Sequence, residues 1–250
     1  MEFTALKHHL IDESARLKAA VAQAGPAAPV PTCPEWTAAD LLDHVTEVFD
    51  DKIQCMRLLR APTEAEVLSR KGSPSERFDA ALAELLTEFD DRGPESLAFT
   101  WYGPDQTVGY WIRRMACETL VHRADAELAA GEAIGSVDAA FGLDAVDEML
   151  VIMLAWGSRA YRQWVAENLK VHDGLVVAVD AGERSWTVRV TLEGIDLAEG
   201  IADDAQAVVS GTPGEIAMWL WRRLPVDAVA VRGDRVKAEA LYDLVGQFAQ

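Results

Sequence analysis

The apolar residues change their spacing near residue 170, and this break constrains the fold more than any other feature of the chain. Before it, the period is helical. Leu6, Leu10, Leu17 and Val21 mark a first helix, ended by Gly25-Pro26. After the proline-rich segment PVPTCPEW, Thr37-Ala-Ala-Asp40 predicts a capping box and a second helix to about Arg60. Phe78, Leu82, Leu85 and Phe89 mark a third helix, and Val108, Trp111, Ile112, Met115 and Thr119 a fourth, ending near Gly131. Phe141 to Trp164 reads as a fifth helical stretch, broken near Gly157. Residues 1–170 are therefore expected to form an up-and-down helical bundle.

Beyond the break the period is two. LVVAVD and SWTVRVTLE read as strands joined by a hairpin at residues 181–184, and Trp186, Val188, Val190 and Leu192 share the buried face. AQAVVSG reads as a third strand. Thr212-Pro213-Gly214-Glu215 is a strong helix start, with Thr at the cap, Pro first and Glu third. That helix stops before Pro225; AVAVRG is a fourth strand, and Asp234 caps a last helix. Residues 171–250 are thus a small α+β domain, and the whole is a two-domain α+β protein.

Composition excludes several classes of function. The 250 residues carry a formal charge of −18, with 28 acids against 16 bases up to residue 170 and 13 against 7 beyond it. Nucleic acid and anionic lipid are therefore not expected as partners. Half of the residues are apolar, enough for a sizeable core. The longest apolar run, Met149 to Trp156, falls far short of the roughly 18 residues a membrane span needs. The first residues lack a secretory pattern, and three cysteines without a CxxC suit a reducing compartment, so a cytoplasmic protein is expected.

The fourth helix carries an anomaly. Trp111, Met115, Glu118 and His122 follow one another at spacings of four, three and four, on one narrow stripe. Its upper part is large and apolar, so its lower part aims a carboxylate and an imidazole inward. A buried carboxylate needs compensation. Residues one turn apart can reach one metal ion, and His44, on the apolar face of the second helix beside Leu41 and Val48, is a third donor. Two imidazoles and a carboxylate make a catalytic zinc layout with an open position; the same donors also suit nickel or iron. The competing reading is a simple pair, Glu118 with His122. His8, His9 and His172 read as solvated or structural.

CPEWTAADLLDHV and RRMACETLVHRADAE (residues 113–127), with LWRRLP and VRGDR near the end, resemble the DinB-like, mycothiol-dependent maleylpyruvate isomerase family of actinobacteria. The resemblance implies a DinB-like four-helix bundle followed by a sterol-carrier-like α+β domain. It also implies a divalent metal, usually zinc, held by His44, Glu118 and His122, the residues that the periodicity had already picked out. Cys117 stands where relatives often have His, and Arg222 where the LWGR motif has Gly; Arg223 matches the motif's arginine, a substrate-binding residue in some relatives. The implied thiol cosubstrate is mycothiol, whose thiolate would add to a cis-enedioate, allow rotation about the new single bond, and leave to give the trans product. No protein nucleophile beyond the metal ligands is implied. The alternatives are a mycothiol S-transferase acting on another electrophile, and a non-catalytic metal-binding or regulatory protein. A monomer or homodimer is expected. An anionic substrate would need a cationic pocket, for which Arg113, Arg114 and Arg123 are candidates.

Overall fold

The computed structural model describes residues 1–249. They form two compact units, divided between Gly135 and Ser136.

The first unit holds four long helices: α1 (Phe3–Ala24), α2 (Ala38–Leu58), α3 (Pro74–Arg92) and α4 (Val108–Ala129). Between α1 and α2 the proline-rich segment is not merely a loop. Strand β1 (Pro29–Val30) pairs antiparallel with β2 (Cys33–Thr37). Contacts along the helices fix their directions. Lys18 of α1 meets Asp79 of α3 at 2.5 Å, while Lys7 pairs with Asp90, so these two run antiparallel. Arg123 of α4 binds Glu13 of α1 at 2.7 Å, and a Cβ on Gly109 would lie 2.6 Å from the Phe3 ring. Helices α1 and α4 are therefore parallel and close. On α2, His44 faces Glu118 and Lys52 lies over the Trp111 ring, so α2 and α4 are antiparallel. The order is up-down-down-up, not up-and-down: the connection after α2 carries the chain back, so that α2 and α3 run the same way. Arg70, in that connection, binds Asp50 of α2 and Glu84 of α3 and ties the crossover down.

Helix α4 is the spine of this bundle. From Val108 to Glu127 every residue is buried except Arg113 and Glu118. Arg123 is fully buried and satisfies Glu13 and Glu127, the latter at 2.6 Å. It belongs to an internal ion network, which removes it from the candidates for a cationic pocket.

The second unit begins with α5 (Ala139–Glu148), continues through a π-helical stretch (Met149–Trp156), α6 (Gly157–Ala160) and α7 (Arg162–Val171), and then forms a five-stranded sheet. The expected junction near residue 170 is thus displaced. The helices from 139 to 171 pack within the second unit: a Cβ on Gly142 of α5 would lie 2.9 Å from the Gly214 nitrogen, and the Ser158 hydroxyl accepts the Ile195 N–H at 2.9 Å. The strands are β3 (Val176–Asp180), β4 (Ser185–Thr191), β5 (Gly194–Glu199), β6 (Ala207–Ser210) and β7 (Ala230–Gly233), in spatial order β5-β4-β3-β6-β7. Only the β3–β6 pair is parallel. The hairpin at 181–184 forms as expected, closed by the Ala181 N–H on the Arg184 carbonyl. Strand β5 had no clear signal: it is an edge strand, buried only at Gly194 and Ile195.

Helix α8 (Pro213–Leu220) starts on the expected Thr212 capping box, and α9 (Arg235–Val245) on Asp234. Beyond α8, the Arg223 N–H bonds the Met218 carbonyl at 2.8 Å and the Arg222 N–H bonds Trp219 at 3.0 Å. This is a Schellman ending, and its left-handed position, normally glycine, is Arg222 at φ 63°. The side chain offsets the strain: its guanidinium lies 4.0 Å from the centre of the Tyr242 ring and donates to the Tyr242 carbonyl at 2.9 Å. No helix of the described residues is long and apolar enough to cross a membrane.

Candidate metal centre

The site lies within the first unit. Thr37 sets the phase of α2: its hydroxyl accepts the Asp40 N–H, and the Asp40 carboxylate accepts the Thr37 N–H at 2.9 Å. His44 then falls on the face that meets α4. There Glu118 and His122 stand one turn apart.

The three predicted donors converge. Glu118 Oε1 lies 3.1 Å from His122 Nε2 and 3.7 Å from His44 Nε2, and one donor atom from each residue falls within 4.8 Å of the others. A tetrahedral ion with bonds of 2.0–2.2 Å needs donors about 3.3 Å apart. The cluster is close to that spacing, and its ligand types are those of divalent zinc and its neighbours. His44 is half-buried, Glu118 mostly buried and His122 buried. Cys117, the residue before Glu118, is buried and is not a member of the cluster.

Four more side chains define the surroundings. The Arg114 guanidinium binds Glu118 Oε2, leaving Oε1 toward the histidines. Asp125, fully buried, lies 2.9 Å through Oδ2 from His122 Nδ1. The Thr32 hydroxyl donates to Asp125 Oδ1 at 2.5 Å. The Trp36 ring lies 4.6 Å from the His44 ring and 6.2 Å from that of His122, so this tryptophan walls the site. Trp101 instead packs edge-on to Tyr110. Arg114 and Asp125 stand four residues before Glu118 and three after His122, spacings visible in the sequence. Their roles were not, because a spacing does not say which atom a side chain reaches.

Electrostatics favour the charged forms. Burial alone would raise the Glu118 carboxyl, but Arg114 and His122 outweigh it and hold it well below the usual range. Burial alone would lower His122, but Glu118 and Asp125 push it up to about 9. Without an ion, His122 therefore holds a proton at neutral pH, and a cation is already what this cluster accommodates.

Arg223, the arginine expected to meet substrate, belongs to the second unit. It is half-buried there and donates through Nη1 to the Trp221 carbonyl at 2.7 Å.

Residues 8–127 match the mycothiol maleylpyruvate isomerase N-terminal domain, and residues 140–240 match the C-terminal domain of the same family. Both matches leave residues 128–139 between them, where the two compact units divide. Among solved structures, the crystal structure of the mycothiol-dependent maleylpyruvate isomerase is similar, with a TM-score of 0.57 at 12% identity, over 92% of this chain and 93% of that one. At that identity the likeness establishes the two-domain α+β fold. No curated protein sequence matches.

Proposed function

Because the chain belongs to the mycothiol maleylpyruvate isomerase family, we propose that it is a metal-dependent enzyme using mycothiol for the cis-trans isomerisation of a maleylpyruvate-like enedioate. The observation that carries this reading is the convergence of His44, Glu118 and His122 on one point, with donor atoms within 4.8 Å of each other. A bound divalent ion, zinc by its ligand types, would lower the pKa of a thiol that normally ionises near 8.5 and so supply thiolate at neutral pH.

The chain's own groups supply the rest. His44 and His122 both turn Nε2 toward Glu118, and Glu118 offers one oxygen while Arg114 retains the other. Arg114 also offsets the charge of Glu118, so that less of a bound ion's positive charge would be cancelled before an anionic sulfur reaches it. Trp36 covers one side of both imidazoles and limits solvent there. Arg223 is assigned to the substrate by its motif position.

Elemental analysis of the untagged protein tests the metal. One ion per chain, lost in His122→Ala, is expected; no bound ion in the wild type overturns the enzyme reading and favours a non-catalytic member of the family. Incubation with mycothiol and maleylpyruvate tests the reaction. Isomerisation without net thiol loss is the expected result. Stoichiometric thiol consumption with a model electrophile, and no isomerisation, would assign the site to S-transfer instead.

A further inference from the structure

We propose that Asp125 is a positioning residue for the metal centre: it fixes His122 as the Nδ1–H tautomer and so aims the Nε2 lone pair at the ion. This rests on the metal reading above and deepens it.

The geometry assigns each atom a task. Asp125 is completely buried in α4, where a carboxylate is tolerated only if its oxygens are satisfied. Oδ2 faces His122 Nδ1 at 2.9 Å, and Oδ1 accepts the Thr32 hydroxyl at 2.5 Å. An ionised carboxylate can only accept, so the proton between Asp125 and His122 sits on the ring nitrogen. The opposite ring nitrogen, Nε2, is then the one on the Glu118 side, 3.1 Å from Oε1. Asp125 cannot itself be a fourth ligand through this arrangement, because it stands on the far side of the ring from the other donors. A carboxylate behind a metal-bound imidazole also raises the ring's basicity, and such partners are worth 10- to 100-fold in metal affinity.

Thr32 extends the relay beyond α4. It lies between β1 and β2, and β2 carries Trp36. The hydroxyl that holds Asp125 therefore also anchors the segment that walls the site. His122, Asp125 and Thr32 join a ligand to that wall through two hydrogen bonds.

Zinc affinity, measured by chelator competition on the full chain, tests the role. Asp125→Ala is expected to weaken zinc binding 10- to 100-fold. Asp125→Leu, of similar size but with no acceptor for Nδ1–H, is expected to weaken binding as much as Asp125→Ala, whereas a merely space-filling role predicts affinity close to wild type; near-wild-type affinity in Asp125→Leu overturns the proposal. Equal affinity in wild type and Asp125→Ala overturns the proposal and leaves the metal reading standing. A wild type that binds no zinc overturns both. A measurement that needs no variant is long-range 1H–15N correlation on the zinc-loaded wild type. It is expected to show His122 protonated at Nδ1 and metal-bound at Nε2; the reverse assignment overturns the proposal even if the variants fail to fold.

Discussion

Arg114 and Glu118, one turn apart on α4, divide the two oxygens of one carboxylate between them: the guanidinium takes Oε2, and Oε1 is left to His44 and His122. The pair is largely buried, so removing one partner strands the other. Arg114→Met should destabilise the metal-free protein by about 3 kcal/mol. Zinc, by compensating Glu118, should restore part of that loss. Denaturant unfolding with chelator and with saturating zinc gives both numbers.

His122 gives the protein a specific dependence on pH. Its folded pKa, up to about 9, lies above the ordinary value of 6.5. The folded state therefore binds this proton more tightly, and the stabilisation is full below about pH 6.5 and is lost as pH rises through about 9. It amounts to roughly 3 kcal/mol. Chelated wild type should lose stability between these limits relative to His122→Gln, as unfolding curves across the range would show. Zinc must displace the same proton, so its apparent affinity should rise about tenfold per pH unit until the folded pKa is passed.

Trp36 should report occupancy of the site. Its ring lies against both imidazoles, and a protonated imidazole quenches indole emission. Zinc titration should change the tryptophan fluorescence, and Trp36→Phe should remove most of that change although seven other tryptophans remain.

Arg222 tests whether backbone strain and side-chain contact cancel. A non-glycine residue in the left-handed region costs about 1 kcal/mol, and a cation over an aromatic ring returns a similar amount. Arg222→Gly should therefore be neutral within about 0.5 kcal/mol. Arg222→Ala keeps the strain and loses the Tyr242 contact, and should cost about 1 kcal/mol by thermal or denaturant unfolding.

Arg123 and Arg114 are both buried arginines of α4, yet they act in different places. Arg123→Met removes the fully buried cation from Glu13 and Glu127 and leaves them with the half-buried Arg16 between them. A loss of about 3–5 kcal/mol is expected, with zinc stoichiometry unchanged in whatever fraction folds.

The meeting of His44, Glu118 and His122 was legible because helical spacing alone places Glu118 beside His122, and the apolar face of α2 turns His44 inward. Their surroundings were less so. On an amphipathic helix the apolar stripe marks the core side, but α4 is buried all around, so its stripe could not say where Asp125 or Arg123 point. The direction of α3 was hidden because a long connection permits either a return or a crossover, and Arg70 chooses through contacts distant in sequence. The unit boundary was misplaced for a related reason. The apolar period of residues 139–171 announces helices, but not which core they cover, and only contacts such as Gly142 with Gly214 decide that. Strand β5 escaped because an edge strand needs little apolar alternation.

The burial of α4 also governs how the site can diversify. A helix with no solvent face offers few positions where a changed side chain costs nothing, and from Val108 to Glu127 only Arg113 and Glu118 escape full burial. Glu118 is committed to the donor cluster. Within the first unit, new substrate preferences must therefore be written on the other walls: the half-buried face of α2 around His44, and the short β2 segment that carries Trp36. A saturation screen of this chain should find α4 nearly silent to gain-of-function change, and the partly exposed residues 33–36, 39, 47 and 48 the permissive ground.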